Sequence, residues 1–439
     1  MTREEALRLA LVSGPLALAY AVALVRRPSK RVLAGVLLSL AWNVPAVLFV
    51  NLLALRFGWW SFAAWTPELM GVPLEPWLGW AVLWGAAAPL AAWDRPLALG
   101  VVAFVWADLL AMPALQPWVV LGDAWLAGEA VAVALAFVPG ILIARWTVRG
   151  EHLRWRVLLQ AGAAGGLLLW LIPSIVLEAS GGWVAALDRS PLWLSAGAQL
   201  LLVPVAVALR AVVEFVDAGR GTPIPYDPPR RLVRTGPYAY LANPMQTAIV
   251  LVYLGAAATF GNAALVAAAG MAFLYGAGLA DWHEDVQLEE RFGREWRRYR
   301  LSVRSWVPRL RPAVPEEATL LVAFSCGTCS SVGRWFAARD PVGLVIAPAE
   351  DAARSDPGLR RVTYVAPSGR RYRGVAAIAR ALEHVHLGWA LAGWVLALPG
   401  VVHLAQLIAD VCGPGPQDVA GRAYRPAVCS VAPRPGRNG

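Results

Sequence analysis

The most constraining feature of this chain is where its charges are missing. No charged residue occurs between Arg31 and Arg56, between Arg156 and Glu178, or between Arg189 and Arg210. Each gap suits a helix of about 20 residues, the length that crosses a bilayer core. The stretch from Thr235 to Ala280 is also charge-free. It is long enough for two spans, with Phe260-Gly261-Asn262 as the turn between them. Across the chain 58% of residues are hydrophobic and 15% charged, against about 45–50% and about 25% in a soluble domain. That balance excludes a disordered chain and argues against a purely soluble enzyme. Mean hydropathy is +0.53 and there are 22 Trp, as expected of spans with interfacial aromatics. Four Cys exclude a disulfide scaffold.

Nine spans are expected, near 7–25, 32–55, 75–93, 97–117, 124–146, 156–178, 191–214, 244–260 and 263–281. The connecting charges alternate. Arg26, Arg27, Lys30 and Arg31 follow the first span, Arg95 the third, and Arg145, Arg149, Arg154 and Arg156 flank the fifth and sixth. Arg220, Arg230, Arg231 and Arg234 follow the seventh, and the other loops are poor in Arg apart from Arg56 and Arg189. The positive-inside rule then places the N-terminus outside and everything after residue 281 in the cytoplasm. Glu4 and Glu5 are unlike a standard cleavable signal, so a multi-pass protein of a bacterial-type inner membrane is expected. The net charge of +10 resides mainly in these loops, and no nucleic-acid partner is expected.

After Pro312 the pattern changes. Thr319–Phe324 and Val342–Ala347 read as buried strands. Arg361–Tyr364 and Arg371–Arg373 flank Pro367-Ser368-Gly369, a hairpin signal, and Gly374–Glu383 reads as a helix. The expected fold is therefore mainly α: a polytopic transmembrane helix bundle with a small C-terminal α/β domain. Between Glu383 and Asp410 charge is again absent. Pro399-Gly400 interrupts this segment, and His384, His386 and His403 are poor lipid-facing residues. Two short helices, packed on the domain or lying on the membrane, are expected rather than a tenth span. The tail from Cys412 is rich in Pro, Gly and Arg and is expected to be disordered.

The loop PYDPPRRLVRTGPYAYLANPMQ closes the seventh span and opens the eighth. Gly236-Pro237-Tyr238 forms a rigid turn before a helix start at Asn243-Pro244. After the hairpin come Glu284-Asp285, Leu288, Phe292-Gly293, Trp296, Tyr299, Trp306 and Pro308. This order of motifs over 224–312 resembles the isoprenylcysteine carboxyl methyltransferase and phospholipid methyltransferase families. Their signature is a Gly-Pro-Tyr turn, an Arg-His-Pro-x-Tyr helix start, an acidic pair, a Phe-Gly-x-x-Tyr-x-x-Tyr run and a Trp-x-Pro close. Ala242-Asn243 stands for the Arg-His and Gln246 for the Tyr. The resemblance implies S-adenosylmethionine as methyl donor and a lipid, prenyl or thiol acceptor entering from the bilayer. Gly236, Pro237, Tyr238, Asn243, Pro244, Glu284 and Asp285 are the implied donor-binding residues. The bland alternative is a degenerate methyltransferase fold kept as a scaffold.

Ser325-Cys326-Gly327-Thr328-Cys329-Ser330 follows an expected strand and precedes an expected helix, Val332–Ala338. In that context Cys-x-x-Cys reads as a thioredoxin-like redox motif. Cys326, at the helix N-terminus, would be the nucleophile, and Cys329 would resolve the mixed disulfide. With Asp340, Tyr372-Arg373-Gly374 and Leu398-Pro399-Gly400, the segment 316–412 resembles the DCC family of thiol-disulfide oxidoreductases, without that family's Asp-Gly before the first Cys. A cellular thiol reductant would be its partner. Zinc on Cys326, Cys329, Cys412 and Cys429 is an alternative, although the wide 412/429 spacing is unlike a ribbon or finger. An inert relic is another. No metal is expected on the main reading.

Gly58-Trp59-Trp60-Ser61-Phe62 and Gly71-Val72-Pro73-Leu74-Glu75 resemble a segment of the lycopene cyclase and carotenoid hydratase membrane families, which implies an isoprenoid-handling bundle. A loop of interfacial Trp with a capping Glu explains them equally well. Asp108 and Glu129 lie within spans, where an ionisable group is costly. They either line an isoprenoid pocket or pair with Trp and backbone donors. Arg210 and Glu214 read as a structural i, i+4 pair, and Gly162, Gly165 and Gly166 as close helix packing. The organisation expected is a bundle at 1–215, a methyltransferase-like core at 216–312, a thioredoxin-like domain at 313–412 and a tail at 413–439. The function expected is methyl transfer to a lipophilic acceptor. The alternative is a membrane thiol-disulfide oxidoreductase on a non-catalytic isoprenoid- or quinone-binding bundle.

Overall fold

A computed structural model describes residues 3–63, 67–222, 229–313, 316–353, 359–412 and 415–416. The tail with Cys429, and part of the loop before Arg230, lie outside the described residues. The chain packs into two compact units. The first takes in Met1–Ala208, Val212–Val233 and Met245–Phe292; the second takes in Leu209–Ala211, Arg234–Pro244 and Gly293–Gly439.

Among the described residues six helices of the first unit are long and apolar enough to cross a membrane: Arg8–Arg26, Lys30–Phe57, Leu97–Ala114, Trp125–Arg149, Leu153–Glu178 and Pro191–Gly219. The last of these also passes through the second unit at Leu209–Ala211. The protein is a multi-pass membrane protein. The other expected spans are also helical: Leu74–Val82 continuing to Ala92, and the shorter apolar stretches Pro244–Phe260 and Ala263–Gly278. The Phe260–Asn262 turn is where the sequence places it. Gly261 takes a positive φ, and the Asn262 side chain accepts from the Ala264 N–H as N-cap. The helix from Ala263 then runs unbroken through a π-turn to Phe292.

Lys30–Phe57 is the centre of the bundle. Ser29 caps its start by accepting from the Val32 N–H, and Gly58 ends it in the left-handed conformation. Small residues let neighbouring backbones approach. A Cβ on Gly35 would lie 2.8 Å from the Ala144 carbonyl oxygen, and one on Gly85 would lie 2.7 Å from Leu40 Cα. Gly162 and Gly166 meet Trp42 and Pro45 in the same way, while Gly165 meets nothing within 4 Å.

Three spans carry a π-turn just before a proline: Leu83–Ala87 before Pro89, Val133–Phe137 before Pro139, and Gly166–Leu171 before Pro173. Proline has no N–H, so each leaves a carbonyl one turn back without its helical donor. Side chains from other helices supply two of the replacements. Trp42 Nε1 donates to the Leu135 carbonyl at 3.0 Å, and Tyr253 Oη donates to the Leu168 carbonyl at 2.6 Å.

Strand β1 (Trp60–Phe62), β2 (Glu68–Leu69), β3 (Val72–Pro73) and β4 (Val119–Leu121) lie in the loops of this unit. β1 pairs antiparallel with β4, and β2 with β3. Trp60 Nε1 donates to Asn51 Oδ1, tying the β1–β4 pair to the central helix.

The second unit is built on β5 (Ala318–Val322), β6 (Leu344–Pro348), β7 (Thr363–Val365) and β8 (Arg371–Arg373), in the sheet order β6-β5-β7-β8. β5 and β6 are parallel and the other pairings antiparallel. Leu320, Val322, Phe336, Tyr364, Ala377 and Leu382 form its core with the helices Gly327–Ala337 and Val375–Leu382. His384 belongs to this core. It is buried, with Nε2 at 2.9 Å from Tyr364 Oη and Nδ1 at 2.8 Å from the Val342 carbonyl. The segment after it forms two short helices, Leu387–Leu396 and Val401–Cys412, bent by 91° at the Pro399-Gly400 break.

Arg210 Nε donates to Glu383 Oε1 at 3.1 Å, and Arg380 Nη1 lies 2.9 Å from Glu383 Oε2. Trp394 Nε1 donates to the same carboxylate, and Tyr240 Oη donates to the Glu383 carbonyl. All of these side chains are buried.

Candidate functional site

Gly236–Ala239 forms a single 3-10 turn, which Gly236 enters at φ 60°, a conformation that favours glycine. Gly236, Pro237, Tyr238, Asn243 and Pro244 are all buried. The chain after Ser302 lies along this segment and fixes it. Ala242 N donates to the Arg304 carbonyl, Asn243 N to the Ser305 carbonyl, Arg309 N to the Tyr240 carbonyl and Ala313 N to the Ala239 carbonyl. Tyr299 Oη donates to the Tyr238 carbonyl at 2.9 Å, and burial pushes the Tyr299 hydroxyl well above its ordinary range. The Gly, Trp and Tyr positions of the motif thus have a structural role in this unit. Gly293 takes a positive φ between two helices, and Trp296 and Tyr299 are buried together.

In the first unit Glu284 and Asp285 sit in the opening turns of Asp281–Phe292, and both are half-buried. Gln246, in the first turn of Pro244–Phe260, donates from Nε2 to Glu284 Oε1 at 3.2 Å. Sequence reasoning treated Gln246 only as a departure from a motif; its role as the partner of Glu284 has no local sequence signal. The donor set fits a sulfonium cofactor with an amino-acid tail. Two half-buried carboxylates can take an ammonium group and a positive centre, and an amide holds one of them in place. The structure places Glu284 and Asp285 in one unit and Gly236 to Pro244 in the other.

Cys326 is the N-cap residue of Gly327–Ala337, so the helix starts at the Cys pair, five residues before the expected Val332. Both Cys326 and Cys329 are free thiols and partly buried. Burial, the Cys326 thiol and the nearby Glu350 carboxylate push the Cys329 thiol up to about 12. Glu350 Oε1 accepts from the Ser325 N–H at 2.7 Å. Burial works against ionisation of Glu350, but hydrogen bonds from Ser325 and neighbouring backbone groups outweigh it and hold this carboxyl below its ordinary value. Glu350 was missed in the sequence, since nothing in Pro348-Ala349-Glu350 marks it. Among the described residues no group of three or more His, Cys, Asp or Glu is arranged to hold a metal.

Asp108 and Glu129 are both buried and line one cavity in the first unit, and Trp80 Nε1 donates to Asp108 Oδ1. The pairing with Trp expected for Asp108 is thus found, and both carboxyl groups also line a cavity. Glu75 instead binds Arg8, whose Nε lies 3.0 Å from its Oε1.

Residues 194–295 match the family model described as phospholipid methyltransferase. No curated protein and no solved structure matches the chain. The matched segment runs from the seventh expected span through Glu284 and Asp285, and it stops before the Cys pair.

Proposed function

We propose that this protein is an integral membrane methyltransferase that uses S-adenosylmethionine and acts on a lipophilic acceptor: a lipid, a prenyl group or a thiol. The observation that carries the reading is the phospholipid methyltransferase match over 194–295, which includes the acidic pair and its Gln246 partner. The cofactor supplies a methyl group already activated on a cationic sulfur, so the chain's task is to bind and align. Glu284 and Asp285 receive the donor's positive groups, and Gln246 sets the Glu284 rotamer. The acceptor reaches the reaction from the bilayer, and the donor from the side that carries Arg230, Arg231 and Arg234, which the charge pattern makes cytoplasmic.

The test is calorimetric titration of S-adenosylmethionine into detergent-purified protein. Micromolar binding is expected, together with its loss in Glu284→Ala/Asp285→Ala. Absence of binding in folded wild-type protein, or wild-type affinity in the double variant, overturns the assignment.

A second activity rests on a separate observation. Cys326 stands at the N-cap position of a helix, and the Glu350 carboxylate stands near Cys329. The order β5, helix, β6, helix, β7, β8, helix, with the sheet order β6-β5-β7-β8, supports a thioredoxin-like module of the DCC type. It would exchange disulfides with a cellular thiol partner, Cys326 attacking and Cys329 resolving. Loss of disulfide exchange in Cys326→Ser, with S-adenosylmethionine binding intact, would assign the two activities to separate residues.

A further inference from the structure

A cavity of about 40 Å³ lies within the first unit. Residues of β1, β4, the central helix and three further helices wall it. The wall is apolar except for Asn51, the indoles of Trp60, Trp80 and Trp84, and the carboxyl groups of Asp108 and Glu129. Asn51 is already satisfied, accepting from Trp60 Nε1 and donating to the Val47 carbonyl. The carboxyls are not. Asp108 is 1% exposed and Glu129 4%, and Asp108 Oδ2 and Glu129 Oε1 are buried with no N–H or O–H donor among the described residues. Both carboxyl groups are buried and face one cavity. Two buried carboxyl groups sharing a site cannot both ionise without a counter-charge, so the pair holds a proton.

We propose that this cavity binds the ammonium head of a lipophilic amine, taken up in exchange for a proton of the Asp108–Glu129 pair. The wall chemistry selects the ligand. An anion would face two carboxyl groups. A hydrocarbon would bring no polar group to either of them. A divalent metal ion would require more oxygen ligands than two carboxyls supply. An ammonium group donates to both carboxyls, and indole faces attract a desolvated cation. The cavity equals the space of roughly three waters at about 10–15 Å³ each. The nitrogen and its first carbons fit there, and the rest of the chain stays outside.

The exchange balances. One monocation enters, one proton leaves the carboxyl pair for water, and no covalent bond of the amine changes. The site therefore keeps its charge, which in a membrane interior is the condition for reversible binding. Among the described residues, Asp108 and Glu129 are the titratable or charged ones that the wall elements contribute to the cavity. Every lining residue precedes Phe137, and the site is thus separate from the 194–295 segment and independent of the methyltransferase reading.

The test uses the full-length protein in a maltoside detergent with n-hexylammonium as ligand and n-hexanol as neutral control. Calorimetry in two buffers of different ionisation enthalpy reads the proton stoichiometry. Saturable binding is expected with about one proton released per amine. The affinity should tighten about tenfold per pH unit between about pH 6 and 8, as one-proton exchange requires, and n-hexanol should not compete. In Asp108→Asn/Glu129→Gln the carboxamide at 108 keeps an oxygen for Trp80 Nε1, so the bundle should fold and both binding and proton release should vanish. Binding without proton release, equal competition by n-hexanol, or no saturable binding to folded wild-type protein overturns the proposal. The first two readouts need no variant, so they decide the matter even if the double variant fails to fold.

Discussion

Gln246 Nε2 donates to Glu284 Oε1 at 3.2 Å, joining the first turn of Pro244–Phe260 to the polar stretch Asp281–Phe292 across 38 residues of sequence. In the resembling families a Tyr stands where this chain has Gln246. The exchange therefore preserves a hydrogen-bonding side chain beside the acidic pair. A hydrogen bond to a charged group contributes about 1.5–3 kcal/mol when buried. Glu284 is half-buried, so the lower end applies. Gln246→Leu should weaken S-adenosylmethionine binding by roughly threefold to tenfold while leaving the melting temperature nearly unchanged. Gln246→Glu should weaken it further, because it sets a second carboxylate against Glu284. Titration of the two variants checks the order. An unchanged affinity in Gln246→Glu would remove Gln246 and Glu284 from the donor site.

The thiol pair makes a prediction about pH. Cys329 is pushed up to about 12 by burial, by Cys326 and by Glu350, so it stays protonated near neutrality. In reduced protein, iodoacetamide should modify Cys329 only as the solution becomes strongly alkaline. Glu350→Gln removes the negative charge and should move that profile toward lower pH; peptide mass spectrometry of each cysteine reads it. Glu350 also contributes to folding with a definite sign. Its folded value is held below the ordinary one, so its contribution is present above the unfolded value of about 4.3 and is lost as pH falls through the folded value. The melting temperature of wild type should thus fall relative to Glu350→Gln on acidification below that point.

Much of the fold can be read from the charge pattern, because lipid tolerates so few sequences. The turn at Phe260-Gly261-Asn262, the strands after Pro312, the hairpin around Pro367-Ser368-Gly369 and the break at Pro399-Gly400 all follow from local rules. What escapes is whatever depends on two distant segments. Tyr240 and Glu383 meet across 143 residues, and no local spacing announces that the Gly-Pro-Tyr loop packs with the C-terminal sheet region. His384 looks awkward in an apolar run, yet it is a core residue satisfied by Tyr364 and the Val342 carbonyl. The start of the Cys helix is missed because Cys326 itself is the N-cap, and Cys is not among the residues that signal one. The role of Gln246 could not be read, since a motif shows what is expected at a position and not what replaces it.

The Glu383 cluster gives a stability prediction. Two arginines and a Trp N–H converge on one buried carboxylate. Removing one member of a buried ionic group leaves the others desolvated and uncompensated, at a cost of about 3–5 kcal/mol. Glu383→Ala should therefore lower the melting temperature of the detergent-solubilised protein more than Arg380→Ala does, because it removes the carboxylate that Arg210, Arg380 and Trp394 all bind, whereas Arg380→Ala leaves Arg210 and Trp394 on it. Glu383→Leu combined with Arg210→Met and Arg380→Met should recover part of the loss, since the charges are removed together. A triple variant less stable than Glu383→Ala would show that the cluster contributes more than mutual compensation.

The proline-linked π-turns allow a cleaner experiment, because the missing donor can be restored. Pro139 cannot donate to the Leu135 carbonyl, and Trp42 Nε1 does so instead. Trp42→Phe keeps most of the packing and deletes the N–H, leaving a carbonyl unsatisfied at membrane depth, where water cannot compensate. The expected loss is about 1–2 kcal/mol. Pro139→Ala reintroduces a backbone N–H at the position that an α-helix would use, so in that background the Trp42 N–H becomes redundant. A double-mutant cycle on Trp42 and Pro139 should then give a coupling energy of about 1 kcal/mol, with Trp42→Phe nearly silent once Pro139 is Ala. Equal losses in the two backgrounds would mean that the indole stabilises the span by packing alone and that the carbonyl finds another donor.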